Sequence, residues 1–203
     1  MSASEFRTAK TLYDERHADT GLAPKATPDE VIQLASQVTG PSIPISQIQV
    51  MRRTICARLS ADQFLLYVTR CVRKGVDPFE QAYAFPQQDG GLAMGLKIDG
   101  MRDLAMRTGL YVGRKVETLF APGDTDHQHP IGARCEIRRK GVEEPIVEEA
   151  YLSEYDASQW SPTAVIWKRM PETMIRKVAE SKALRAAFPD ALAGVYEPAE
   201  LTE

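Results

Sequence analysis

The chain has 203 residues, an apolar fraction of 43% and a formal net charge of −3, which suits one domain of ordinary size with a real core. No apolar run is long enough to span a bilayer, and the N-terminus lacks the basic-then-apolar layout of a secretory signal, so a cytoplasmic protein with no membrane partner is expected. Cys56, Cys71 and Cys135 are odd in number and widely spaced, which fits reduced, packed thiols better than disulfides or a zinc site.

Residues 1–26 are polar with mixed charge and read as a flexible arm; residues 27–198 read as one folded domain, with 199–203 a short tail. Thr27-Pro28-Asp29-Glu30 is a capping box with proline at the first helical position, and Val31, Leu34, Ala35 and Val38 follow at helical spacing until Gly40-Pro41. Residues 41–59 are only partly helical by pattern, and their Arg52-Arg53 pair is a weak nucleic-acid hint. Ser60 and Gln63 form a second capping box, opening a helix with Phe64, Leu65, Val68, Cys71 and Val72 inward and Gly75 as its left-handed terminator. Arg70, Arg73 and Lys74 in the last turns complement the helix dipole, with phosphate contact as the second reading. The aromatics Phe79, Tyr83 and Phe85 beside turn signals are read as core rather than as a base-stacking platform.

Leu92, Met94, Leu96 and Ile98 alternate with smaller or polar residues, a half-buried strand that leaves Lys97 on its open face. Asp99 is expected to cap a short helix through Thr108, with Met101, Leu104, Ala105 and Thr108 inward and Arg102 and Arg107 outward as candidate phosphate contacts. Three antiparallel strands follow, over 111–121, 131–139 and 145–152. Between the first two, Asp124, Asp126, His127 and His129 form a polar loop without the fixed spacing of a metal site. A divalent cation such as magnesium suits nucleic-acid chemistry, but nothing in the sequence marks a place for it. No phosphate loop, nucleophile elbow or serine–histidine pairing is present, so no cofactor and no catalytic group is expected.

The last long element runs from Pro171 to about Phe188 and holds the chain's cationic surplus. From Trp167 to Phe188, Lys168, Arg169, Arg176, Lys177, Lys182 and Arg185 face only Glu172 and Glu180, leaving the remainder of the chain at −7. Positive charge held against an acidic background points to an anionic partner. Glu172, Arg176 and Glu180 fall at i, i+4, i+8, the arrangement of a solvated ion-pair ladder, whereas Lys182 and Arg185 continue the apolar line of Met174 and Val178 and are expected to reach a partner. On this reading Lys168, Arg169, Lys177, Lys182 and Arg185 are the chief phosphate contacts and Arg176 a lesser one. Lys97, Arg102 and Arg107 form the opposite wall, and Trp167 packs at the helix start. The fold class is α+β: an antiparallel sheet flanked by N-terminal helices and by the long basic helix.

Two blocks carry a family resemblance. Gly75-Val76-Asp77-Pro78-Phe79 leading to Tyr83-Ala84-Phe85-Pro86, and Trp167-Lys168-Arg169 with Pro171, Arg176-Lys177, Ala183-Leu184-Arg185, Ala187-Phe188 and Gly194-Val195-Tyr196, resemble the core of phage single-strand annealing recombinases, the Bet/RecT (lambda Red beta-like) family. The resemblance covers roughly residues 60–196. It implies a β-β-β-α annealing core and an ATP-independent protein that binds single-stranded DNA and anneals complementary strands in phage homologous recombination. It also implies a homo-oligomeric ring or helical filament around the annealed intermediate, with a phage exonuclease and a host single-strand binding protein as partners. The pattern departs from the family's in two ways. Lys168-Arg169 precedes Pro171 where relatives carry the basic pair after the proline, and the chain stops soon after Tyr196 where longer relatives continue into a partner-binding domain. The competing reading is a phage accessory or scaffolding protein whose basic helix docks an acidic protein.

Overall fold

The structure is a computed structural model that describes residues 27–86, 91–155, 164–197 and 200. Helix α1 (Pro28–Thr39) opens at Thr27, whose hydroxyl accepts from Glu30 N at 3.3 Å while the Glu30 carboxylate accepts from Thr27 N at 2.6 Å. Helix α2 (Ile45–Arg53) and helix α3 (Ala61–Lys74) follow. The Ser60–Gln63 capping box starts α3 and Gly75, at φ 64°, ends it. The buried face of α3 is Phe64, Tyr67, Val68 and Cys71; Val72 is exposed, so the inward stripe lies about one residue round from the expected one. Tyr67 is admitted to the core because its hydroxyl donates to Pro78 O at 2.7 Å.

A hairpin comes next: β1 (Ala82–Pro86), which no alternation marked, pairs antiparallel with the expected strand β2 (Leu92–Leu96). Tyr196 extends it as a short parallel bridge to Gly95, with Leu96 N donating to Tyr196 O at 2.7 Å. Helix α4 (Ile98–Arg107) then starts one residue before the expected cap. Lys97 occupies the N-cap without a side-chain bond, Ile98 is buried from the helix, and Asp99 in the first turn pairs with Arg102 at 2.6 Å instead of capping. Thr108 is exposed and hydrogen-bonds to Ala105 O rather than pointing inward.

Strands β3 (Tyr111–Phe120), β4 (Pro130–Arg139) and β5 (Ile146–Tyr151) form an antiparallel meander in the order β3-β4-β5, close to the expected spans. Short helices α5 (Leu152–Tyr155) and α6 (Ala164–Arg169) lead to the long α7 (Pro171–Ala187), and α8 (Pro189–Leu192) follows. Met174, Ile175, Val178, Ala179, Ala183, Leu184 and Ala187 of α7 are buried against the sheet, where β4 and β5 present Ala133, Cys135, Ile137 and Ala150. Small residues on both sides let helix and sheet approach closely. The architecture is α+β with antiparallel sheets, and no described helix is long and apolar enough to cross a membrane. All three cysteines are free and buried, and burial pushes the Cys56 and Cys71 thiols up to about 12 and Cys135 to about 11, which keeps them unreactive at neutral pH.

Gly132 lets β4 lie close against β5: a Cβ there would lie 2.6 Å from Ala150 O, a backbone atom that cannot step aside. Gly132→Ala is therefore expected to destabilise by about 1–3 kcal/mol in urea denaturation, whereas Gly113→Ala, whose Cβ would meet nothing within 4 Å, is expected to stay within about 0.5 kcal/mol of the parent.

Candidate nucleic-acid interface

A cleft of roughly 710 Å³ lies between α4 and the β1–β2 hairpin on one side and β3 and α7 on the other. Its floor is Glu180. This carboxylate is only 3% exposed and receives two guanidinium groups: Arg102 of α4 binds it bidentately through Nε and Nη2, each at 2.7 Å, and Arg114 of β3 donates from Nη1. The solvated ladder expected along Glu172, Arg176 and Glu180 is thus only half present. Glu172 and Arg176 do pair at 3.5 Å on the surface, but Glu180 has turned into the interior. The outward position expected for Arg102 is likewise overturned, because α4 packs on α7 and its second turn faces the buried carboxylate. Burial, followed by the nearby charge of Arg102, holds the Arg114 guanidinium below its ordinary range.

Above this floor stand Lys97 on one wall and Arg176 and Lys177 on the other, all partly exposed. Lys97 Nζ lies 5.6 Å from the centre of the Tyr83 ring, and Tyr83, 40% exposed, is presented by β1 at the rim beside Ile166. Among the described residues neither Lys97 nor Lys177 has a carboxylate partner. Arg176 reaches Val116 O at 3.3 Å and Glu172, contacts that a phosphate is free to replace at small cost because the pair is solvent-exposed. Two ammonium groups without an ion pair among the described residues, an exchangeable guanidinium and an exposed phenol ring make a groove suited to a phosphate backbone with an adjacent base, with Asp99, Glu172 and Glu197 also in its lining.

Of the residues singled out from sequence, Lys97, Arg102, Arg176 and Lys177 converge here. Lys182 and Arg185 do not. The Lys182 ammonium donates to Glu149 O at 2.6 Å, pairs with Glu148 at 3.6 Å and sits 6.0 Å from the Tyr155 ring centre. Arg185 is bidentate to Glu200 at 2.6 and 2.5 Å and lies over the Tyr196 ring. Their reach past the apolar face ends on this chain's own strand β5 and C-terminal segment. Arg107 pairs with Asp103 at 2.5 Å and donates to Gly75 O, away from the cleft. Lys168 and Arg169 are exposed on α6, whose Trp167 is buried at 1% exposure, as expected of a packed anchor. Arg114 was not singled out from the sequence, and Tyr83, expected there to be core, is instead 40% exposed at the cleft. In the loop of residues 121–129, Asp124 accepts from Gln128 N and His129 N, and the His127 ring stacks on Phe120 at 4.5 Å.

A family model described as the RecT family matches residues 43–203. The chain belongs to the RecT family. The match takes in every residue of the cleft, and RecT family membership supports a role as a recombination annealing protein. A search among curated proteins gave no match.

Replacing the floor carboxylate tests its structural role. Glu180→Gln leaves two guanidiniums facing a neutral group, and a loss of about 2–3 kcal/mol is expected, at the low end for a broken buried pair because Arg102 and Arg114 keep 29% and 32% of their side-chain surface in water. Glu172→Gln, which touches only the exposed Arg176 pair and a surface hydrogen bond from the Thr118 hydroxyl that the amide oxygen can still accept, is expected to change stability by less than about 0.5 kcal/mol in the same urea titration.

Proposed function

We propose that the cleft holds single-stranded DNA and that the protein anneals complementary strands without ATP, as part of phage homologous recombination. The observation that carries this reading is that Lys97 and Lys177, without an ion pair among the described residues, stand on opposite walls of a cleft rimmed by exposed Tyr83. Lys97 and Lys177 bind backbone phosphates by charge, and Arg176 adds a forked donor once it releases Glu172. Tyr83 offers its ring face to a base, a sequence-tolerant contact. Arg102 and Arg114 are positioning residues in this scheme, locked on Glu180. Annealing requires neutralised backbones with base edges left accessible, so no covalent or acid–base step and no bound cofactor is assigned. The β3–β4–β5 meander under α7 is read as the annealing core. One cleft spans few nucleotides, so the working form is a homo-oligomer, ring or filament, that lines up many clefts along a strand and its complement. A phage exonuclease and a host single-strand binding protein are the protein partners this role calls for.

Two complementary labelled oligonucleotides mixed with the protein, with no nucleotide present, are expected to form duplex faster than they do alone; no acceleration at any protein concentration sinks the reading. The residue assignment has its own measurement. Lys97→Ala, Arg176→Ala and Lys177→Ala are each expected to weaken binding to all single-stranded sequences about equally. Each is also expected to reduce the slope of log K against log salt by about 0.7, one phosphate contact on a single strand. Arg185→Ala is expected to leave that slope unchanged and to lower the melting temperature instead, since it strands the Glu200 carboxylate, whose side chain is 5% exposed. A larger slope change in Arg185→Ala than in Arg176→Ala would move the DNA path to the other face of α7.

A further inference from the structure

A second cleft, of roughly 560 Å³, opens where the C-terminal ends of α3 and α4 meet α8. It is lined by Arg70, Arg73, Lys74 and Arg107 with Asp190 as the one acidic lining residue. Arg70 donates to Leu92 O at 3.0 Å, Lys74 to Ala191 O at 3.1 Å and Arg107 to Gly75 O at 2.6 Å, so three of the four cations are anchored by backbone carbonyls with their charge uncancelled or shared. Arg73 is exposed and has no hydrogen bond or ion pair among the described residues. Helix dipoles do not account for the gathering. Two C-termini supply about half a negative charge each, and Asp190 together with Asp103, which pairs with Arg107, supplies two more, against four cations from two helices. Consistent with an uncompensated cluster, burial and then the Arg70 charge hold the Lys74 ammonium below the ordinary lysine range.

We propose that this cleft is a separate anion site that takes phosphate groups. Donors converge on it from two helices, and three of the four are guanidiniums, whose planar forks match the several oxygens of a phosphate better than a single carboxylate does. Arg102 and Arg107 are five residues apart on α4 and so lie on different faces of that helix, which sets this cleft apart from the one floored by Glu180. Phosphate can reach it from two sources, a nucleic-acid strand or a free phosphorylated ligand.

The test uses the full chain and inorganic pyrophosphate, with sodium chloride adjusted to constant ionic strength. Pyrophosphate is expected to raise the melting temperature of the parent and of Lys177→Ala alike, while Arg73→Ala, an exposed change that leaves the core intact, raises the apparent Kd about tenfold and Arg73→Lys restores part of it. The proposal is overturned if pyrophosphate stabilises no more than matched chloride, if Arg73→Ala binds it as the parent does, or if a hexaglutamate peptide stabilises the parent more than pyrophosphate. Single-stranded DNA titrations separate the sources. A slope of log K against log salt smaller by about 0.7 in Arg73→Ala assigns the site to the strand backbone, and an unchanged slope with the pyrophosphate effect lost assigns it to a free phosphorylated ligand.

Discussion

One buried carboxylate decides where the walls of the main cleft stand. Glu180 sits on α7 with its side chain turned into the protein, and two guanidiniums from α4 and β3 close on it. Burying the carboxylate alone would cost several kcal/mol; the bidentate Arg102 contact and the Arg114 donor offset that cost by satisfying both oxygens in fixed geometry. The arrangement is specific because it is over-determined. Any shift of α4 away from α7 opens the Arg102 fork, and any slip of β3 along the meander removes Arg114, so helix, sheet and hairpin are held in one register around the cleft.

The consequence for charge is that the cationic surplus of α7 is divided. Its faces point to different neighbours, and the sheet side and C-terminal end of the helix have partners built in: Glu148 with the Glu149 carbonyl for Lys182, and Glu200 for Arg185. Only the first half of the helix, with Arg176 and Lys177, turns charge toward the cleft. A single chain then presents three partly exposed cations there, counting Lys97. On the phosphate-release relation three contacts give a shallow salt slope of about 2 per protomer on a single strand, which is why avidity along a strand is central to the annealing reading.

Much of the fold was legible because its signals are local. The capping boxes at Thr27–Glu30 and Ser60–Gln63 and the left-handed Gly75 each involve residues a few positions apart, and each sits as the pattern implied. The β1–β2 hairpin was hidden because Ala82 to Pro86 carries no clean alternation and its pairing depends on Leu92 to Leu96 and on Tyr196 far along the chain. The site was half legible. Spacing alone placed Arg176 and Glu180 on one line of α7, yet it is the sheet beneath and α4 beside the helix that pull Glu180 inward and leave Arg176 out. Lys182 and Arg185 misled for the same reason in reverse: a long cation on an apolar face must reach something, and sequence order does not reveal that β5 and Glu200 are within reach. Arg114 carried no signal in its strand, since its importance comes only from the carboxylate it faces.

The C-terminal segment gives the cleft its second constraint. Tyr196 pairs with the edge of β2, accepting from Leu96 N and donating to Met94 O at 3.3 Å, while Arg185 of α7 lies over its ring and binds Glu200 a few residues on. The hairpin that carries Tyr83 and leads into Lys97 is therefore tied to α7 twice, through the Glu180 floor by way of α4 and through Tyr196 at its far edge. Neither tie uses Lys97, Arg176 or Lys177. The groups that fix the geometry are buried and paired, and those left to meet an anion are exposed and exchangeable. An anion entering this groove has to displace water and the contacts of Arg176 with Glu172, Thr118 and Val116 O, with both walls already in place, so little of its binding energy is lost to ordering the protein.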